Sequence, residues 1–598
     1  MAALYKRPLK AARVGPLFSA FPYPTKISPE AIALFIAAHT KPGDTVFDGF
    51  AGSGTTGVAS LLCAAPTVTM REEAKRLGVK VRWGIRRAVL QELGVLGSFV
   101  GRTLCNPPDP DEFRREAERI LAECERDLGW MYEARDPEGR RGRIRYVIWS
   151  EVVRCPHCGK TVTTWDGCVR RQPARIDSIL RCPHCARKSI FNESRRLTRT
   201  SFDKLVKVKV TERVRRPVWL YGVTGTHKWS RAIQPADRAL LARIGETPLP
   251  PNVPCARVPW GDLYRSGYHQ GISHLHHFYT RRNLIVFGTL WKRVASSPLR
   301  DPLRFWLLSY NASHATLMTR VVAKKNQNDV VVTSAQSGVL YISGLPVEKN
   351  LFAGLRRKLK TISEAFQSTR RPDRLVEVRQ GSSLHIHLPD QSVDYVFTDP
   401  PFGGNIPYAE VNFINEAWLG RYTNSREEVT ISRAQGKDCG DYESLMTQAF
   451  RELHRVLRKG GKATVVFHSS SSEVWNALHR AYSEGGFGLE VASVLDKTQG
   501  SFKQVTTDGA VKGDIVLLLG REPTKRERAA HTVSPVMDEL LRCAQASEDL
   551  AERTPQRLYS RFVAHYLKTE QDVPLDAEEF YQVIATKVPS DNVRPPAK

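Results

Sequence analysis

The chain of 598 residues is short of acid. Its 62 Asp and Glu stand against 89 Lys and Arg, a net charge of +27. A surface so unbalanced suits a polyanionic partner, most simply nucleic acid. Cysteine is scarce and odd in number, 11 in all. That argues against a secreted disulfide framework and for a reducing, cytoplasmic compartment with metal-bound or buried thiols. Long apolar runs are missing. The longest, near Ala31–Ala38, falls far short of the roughly 20 residues a bilayer span requires, so no membrane association is expected. The first residues, MAALYKRPLKAARVG, are basic but lead into no hydrophobic core, unlike a secretory signal. With 41% hydrophobic and 25% charged residues, global disorder is excluded.

What is present reads as an α/β pattern split in two. Pro29–Thr40 is an apolar helix capped by Ser28, with Pro29 at its first position. Thr45–Phe50 is a short strand entering a glycine loop, and Val79–Trp83 is a second strand candidate. After a long interruption the pattern resumes, with strands expected at Leu375–Arg379, Val393–Thr398, Ala463–Phe467, Leu489–Leu495 and Ile515–Leu519. Strands alternating with helices predict a mostly parallel sheet covered on both faces.

The loop Asp48-Gly49-Phe50-Ala51-Gly52-Ser53-Gly54-Thr55-Thr56-Gly57 leaves a strand and opens a helix. Glycines there let a ligand approach the backbone, and the helix start favours an anionic group. A P-loop is excluded, because Thr55 stands where the lysine belongs. A dinucleotide site is formally allowed by Gly52-x-Gly54-x-x-Gly57. A third reading uses Asp48, whose carboxylate suits a cationic amino group.

Asp48–Thr56 resembles the cofactor motif of the amino-methylating DNA methyltransferases, which transfer methyl to adenine N6 or cytosine N4. Gly49 replaces the usual proline. Upstream, Phe21-Pro22-Tyr23-Pro24-Thr25-Lys26 is similar to the family segment lining the methionine end of S-adenosylmethionine. The resemblance implies cofactor contacts from Thr25, Lys26, Asp48, Phe50, Gly52, Ser53, Gly54, Thr55 and Thr56, with Ser382 near the adenine ring. Family members place an acid after the second strand to hold the ribose. The matching stretch is taken as Arg82–Arg86, which has none, and Glu92 is the nearest later candidate.

Asp399-Pro400-Pro401-Phe402 closes the strand Val393–Thr398 and carries the strongest functional signal. An exocyclic amino group of adenine or cytosine is a poor nucleophile, because its lone pair is delocalised into the ring. Two acceptors aimed at its hydrogens stabilise the charge that develops during attack. The Asp399 carboxylate and the Pro400 carbonyl, held by the rigid Pro400-Pro401 backbone, are the expected acceptors, and Phe402 offers a face to a flipped base. No nucleophilic cysteine is needed. Asn106-Pro107-Pro108-Asp109 is a decoy, with an acid in the aromatic place. Tyr408 and Glu410 follow the catalytic loop closely enough to shape a base pocket.

Between the two halves, Cys155-x2-Cys158 and Cys182-x2-Cys185 have the spacing of two zinc knuckles. Four thiolates leave no open position, so the ion is expected to be structural, with His157 and His184 outside the ligand set. Around it runs a basic series, Arg170-Arg171, Arg195-Arg196, Arg199, Lys204, Lys207, Lys209, Arg213 and Arg215-Arg216. Aromatics interleave at Trp219, Tyr221, Trp229, Phe278 and Tyr279. Cations track phosphates and aromatics stack on bases, so duplex contact is expected. A second metal at His274–His277 is not expected, because no further ligands stand at a known spacing.

The expected fold is therefore α/β: a Rossmann-like S-adenosylmethionine-dependent methyltransferase sheet, interrupted by a zinc ribbon and a basic recognition insertion, with a helical C-terminal extension. The expected divisions are 1–106 cofactor half, 107–150 helical connection, 151–200 zinc ribbon, 201–374 target recognition, 375–520 catalytic half, and 521–598 helices and tail. The resemblance implies a DNA methyltransferase, with adenine N6 favoured by Asp399 and cytosine N4 as the alternative. An RNA (tRNA or rRNA) methyltransferase and a zinc-stabilised, non-enzymatic DNA-binding subunit are the other readings. Family habit adds a restriction or phage-defence partner protein, docked on the C-terminal helices.

Overall fold

The computed structural model describes residues 4–5, 9–11, 14–191, 195–267, 271–324, 327–336, 338–497, 514–522, 532–547 and 549–587. The tail expected at 588–598, most of the polar stretch 521–535 and Lys512-Gly513 lie outside the described residues.

Eight strands form the main sheet: β1 (Leu9–Ala11), β2 (Thr45–Asp48), β3 (Arg87–Glu92), β4 (Val376–Gln380), β5 (Val393–Thr398), β6 (Leu457–Phe467), β7 (Gly488–Lys497) and β8 (Asp514–Gly520). Their order is β1-β7-β8-β6-β5-β2-β3-β4. Every pair is parallel except those of β8, which runs antiparallel to both β6 and β7. The alternation of side chains along a strand builds two cores. Val46, Tyr395, Phe397 and Val466 face one side with the helix α1 (Pro29–His39). Phe47, Val393, Val396, Val465 and Phe467 face the other with α2 (Cys439–Val456) and α3 (Ser472–Glu484). Burying side chains of this kind is worth ~1.5–3 kcal/mol each, and a one-residue slip of register would exchange the two faces. The chain runs from β2 outward to β3 and β4, then returns to place β5 on the other flank of β2. The strand order reverses between β2 and β5, the kind of crevice where open α/β sheets bind ligands.

One strand departs from expectation. Val79–Trp83 is a loop, and the second strand of the sheet is β3. The fully buried Arg86 is the reason. Its guanidinium donates to Thr40 Oγ1, to the Thr40 and Gly84 carbonyls, and to the Arg82 carbonyl. Residues 82–86 are thus strapped to the end of α1, and β pairing begins only at Arg87. Glu92 consequently ends the second strand, which Arg82–Arg86 does not.

The insertion is organised on a 14-residue strand, Arg141–Arg154, which crosses the boundary expected at 150/151. It pairs with Arg215–Thr224 and with Val347–Lys349. Helices Pro110–Leu128, Arg281–Val294, Arg300–Tyr310 and Leu351–Thr369 contribute to the same core as α1. The last described elements are helices Val533–Ala546, Pro555–Lys568 and Ala577–Lys587. Among the described residues, no helix is long and apolar enough to cross a membrane.

Candidate active site

β2 and β5 lie side by side, with Val46 opposite Tyr395, so the loops leaving Asp48 and Thr398 emerge at neighbouring strand ends. Both Asp48 oxygens are engaged. Oδ1 accepts from the Phe50 amide at 3.0 Å and from Thr398 Oγ1 at 2.8 Å, and Oδ2 accepts from Thr56 Oγ1 at 2.6 Å. Burial pushes the Asp48 carboxyl up to about 6, against these hydrogen bonds. Gly52 sits at φ +51°, and its amide donates to Glu92 Oε2 at 2.7 Å, while the Gly94 amide donates to Oε1 at 2.8 Å. Enclosure pushes Glu92 up to about 8, although the two amides favour its ionised form.

These loops wall one cleft. Of the predicted residues, Thr25, Lys26, Asp48, Phe50, Gly52, Ser53, Thr55, Thr56, Glu92, Ser382, Asp399 and Pro401 line it. Gly54, Pro400 and Phe402 do not. Gly54 shapes the loop instead: at φ +82° it precedes the helix Thr55–Ala64 and packs on Gly101. Lys26 reaches the wall, but its ammonium is spent on the carbonyls of Leu17, Phe18 and Phe21, and burial lowers it to about 7. Phe402 packs edge-on against Phe467, with ring centres 5.3 Å apart, rather than facing the cleft. The Pro401 carbonyl is pinned by the Tyr442 hydroxyl at 2.8 Å.

Sequence reasoning missed Tyr23, Asn412, Thr423 and Glu428, which also line the cleft. Tyr23 lay inside the quoted Phe21–Lys26 segment, and the helix Tyr408–Leu419 that carries Asn412 begins six residues after Phe402. The aromatic wall is Tyr23 stacked near Tyr408, with centroids 6.3 Å apart, and the Tyr408 hydroxyl pairs with Thr25 Oγ1 at 2.8 Å. Glu410 does not face this cleft. Its carboxylate takes the amides of Asp262 and Leu263 at 2.8 and 2.9 Å, fastening the helix Tyr408–Leu419 to the insertion. The decoy Asp109 caps a helix, accepting from the Asp111 and Glu112 amides.

The sulfurs of Cys155, Cys158, Cys182 and Cys185 converge within 4.8 Å. Each pair sits in the same turn: the Gly159 amide bonds the Cys155 carbonyl and the Ala186 amide bonds the Cys182 carbonyl. His157 and His184 contact the Lys188 and Thr161 carbonyls from outside.

The basic series divides. Arg196, Arg213 and Arg215 converge on the buried Glu151 at 2.9–3.4 Å, so these cations hold the insertion together. Arg195, Lys204, Lys207, Lys209 and Arg216 are exposed. The expected stacking aromatics are mostly interior: Tyr221, Trp229, Phe278 and Tyr279 are buried, and Trp219 is covered by the Arg171 guanidinium at 3.7 Å. Exposed aromatics among the described residues are Phe202, within the basic series, and Trp260, Tyr264 and Tyr422 outside it.

A family model described as DNA methylase, for N6 and N4 methylation, matches residues 6–68. No curated protein matches the chain. Among solved structures, an antibiotic-resistance methyltransferase, Kmr, is 14% identical over 28% of this chain and 73% of its own, with a TM-score of 0.15. The 16S rRNA (adenine(1408)-N(1))-methyltransferase from Catenulisporales acidiphilia is 12% identical over 30% and 75%, with a TM-score of 0.15. A proposed DNA modification methylase from Thermus thermophilus is 13% identical over 34% and 91%, with a TM-score of 0.14. The resemblance read from the motifs is met at the glycine loop: residues 6–68, which hold both Phe21–Lys26 and Asp48–Gly57, match the DNA methylase family of methyltransferases.

Proposed function

We propose that the protein transfers a methyl group from S-adenosylmethionine to an exocyclic amino group of a base flipped out of DNA, adenine N6 in preference to cytosine N4. The observation that carries this reading is the shared cleft, with Asp399 on one loop and Asp48 on the next, and Thr398 bonded to Asp48 between them.

The donor set fits the cofactor. Two carboxylates with raised pKa values face one cleft, an environment that a cation and hydroxyl donors would relieve. Asp48 would take the ammonium end and Glu92 the ribose hydroxyls, with Gly52 and Ser53 allowing close approach and Tyr23 and Ser382 as flanking walls. Bound there, S-adenosylmethionine supplies an electrophilic methyl on a sulfonium. Asp399 accepts a hydrogen bond from the target amino group, localising its lone pair and stabilising the positive charge of attack. Tyr442 fixes the Pro401 carbonyl and so the course of the loop. Tyr408, on the cleft wall, takes the stacking role first assigned to Phe402.

The Cys155, Cys158, Cys182 and Cys185 cluster suits one structural zinc ion, since four sulfurs within 4.8 Å of one another match a closed tetrahedral thiolate set. DNA enters by way of the insertion. The exposed Lys204, Lys207 and Lys209 are suited to phosphates. Trp260 and Tyr422 line a second cavity, which shares Ala409 and Thr423 with the first cleft.

The test is labelled methyl transfer to duplex DNA, single-stranded DNA and tRNA, followed by nucleoside analysis. The expected product is N6-methyladenine from DNA, lost in Asp399→Ala while cofactor binding persists. Label confined to tRNA would overturn the choice of substrate.

A further inference from the structure

The segment Gly271–Phe278 and the hairpin Thr198–Asp203/Val208–Arg213 meet at a cluster that plays no part in the methyl-transfer site. Nε2 of His276 lies 2.6 Å from Asp203 Oδ2, and Nε2 of His277 lies 2.9 Å from the same oxygen. The three side chains are 7%, 11% and 13% exposed for His276, His277 and Asp203. Three ligand-type atoms from three residues therefore converge within 4.8 Å. The two imidazole rings lean together, with centroids 4.2 Å apart, and both present Nε2 to one point. We propose that Asp203, His276 and His277 form a second metal site, which takes one zinc ion and clasps the basic hairpin to the 271–278 segment.

Two further observations support the site. The donors are one carboxylate and two imidazoles, a set that zinc accepts readily. Around a tetrahedral ion the ligand atoms would stand about 3.3 Å apart, so loading asks only for a small spreading of atoms already assembled.

The hairpin also needs a fastening. Of residues 198–203 and 208–213, only Val210 is buried, and Phe202, Leu205 and Val208 are exposed. A two-stranded hairpin with so little core is marginal by itself. Asp203 stands at its tip, beside Lys204 and Lys207, so an ion there would hold the exposed cations in a fixed place. Three protein ligands leave a fourth position for water, unlike the four-sulfur cluster.

This inference is independent of the proposed reaction. The full chain, stripped with a chelator, reloaded with excess Zn(II) and desalted, is measured for metal content. Two variants are compared with the parent: Asp203→Asn, which keeps the shape and an acceptor oxygen, and the double variant His276→Ala/His277→Ala. Each is expected to hold about one zinc fewer than the parent, while the thiolate charge-transfer band of the Co(II)-loaded protein, which reports the cysteine cluster, stays unchanged. Should the double variant fold poorly, Asp203→Asn decides. Metal content equal to that of the parent in Asp203→Asn would overturn the site.

Discussion

Thr398 Oγ1 donates to Asp48 Oδ1 at 2.8 Å across 350 residues of chain. The residue before Asp399 thus holds the acid at the head of the glycine loop, and one hydrogen bond couples the two halves of the site. Hydrogen bonds to charged groups contribute about 1.5–3 kcal/mol. Removing this one also lets the Asp48 carboxyl rise further above its present value of about 6. Thr398→Val is therefore expected to weaken cofactor binding by roughly tenfold, and more at pH 6 than at pH 8. Equal affinity to the parent at both pH values would show that the bond does not set the state of Asp48.

Part of this was legible in the sequence. Val393–Thr398 is an apolar run ending in Asp399-Pro400-Pro401, and Asp48 sits between a strand and a glycine loop. Local composition announces both, because buried parallel strands and tight loops each demand few residue types. Glu92 was named only as a later candidate because Val79–Trp83 has the composition of a strand. What prevents it is Arg86, whose guanidinium occupies carbonyls of Arg82, Gly84 and Thr40, a long-range fact that no local pattern carries. The role of Arg196, Arg213 and Arg215 was hidden for the same reason. Their partner, Glu151, lies 45 to 64 residues away.

Glu92 gives a pH prediction. Its carboxyl is raised from 4.5 to about 8 in the folded chain, so between those values the folded state binds more protons than the unfolded state. Stability is then expected to fall as pH rises through this window, by at most about 1.4 kcal/mol per unit. Ribose hydroxyls donate to the ionised form, so cofactor affinity moves the opposite way and rises from pH 6.5 to 8. Glu92→Gln should flatten both slopes. Its amide can serve only one of the two backbone donors, so its absolute stability starts lower and the slope is the readout. Denaturant titrations and calorimetry across pH 6–8.5 provide it. A parent protein with pH-independent binding would refute the assignment of Glu92 to the hydroxyls.

Gly54 tests the packing of the loop. It sits at φ +82°, and a Cβ there would come within 2.7 Å of Gly101 Cα. Gly139, at φ +84°, has open space around it. Alanine at either position meets a left-handed backbone penalty of ~1–2 kcal/mol, but only at Gly54 does overpacking add a further ~1–3 kcal/mol. Gly54→Ala should lose clearly more stability than Gly139→Ala in denaturant unfolding, and only Gly54→Ala should lose cofactor binding. Equal losses would mean that the Gly54–Gly101 approach carries no weight.

Trp260 separates stacking from charge in DNA binding. Its side chain is 66% exposed, near Tyr264 at 39%, with Tyr422 at 51% on the same cavity wall. A solvent-facing indole contributes little to folding, so Trp260→Ala should leave the unfolding midpoint unchanged. If a base stacks there, truncation costs about 1–3 kcal/mol, a loss of roughly tenfold in DNA affinity. Because no phosphate contact is removed, the dependence of affinity on salt should keep its slope. Lys204→Ala/Lys207→Ala should do the reverse, lowering the slope by about one for each phosphate left without its lysine. Cofactor affinity should not move in either variant. A Trp260→Ala protein with parental DNA affinity, beside a lysine variant with a reduced slope, would restrict DNA recognition to the phosphates and detach the second cavity from it.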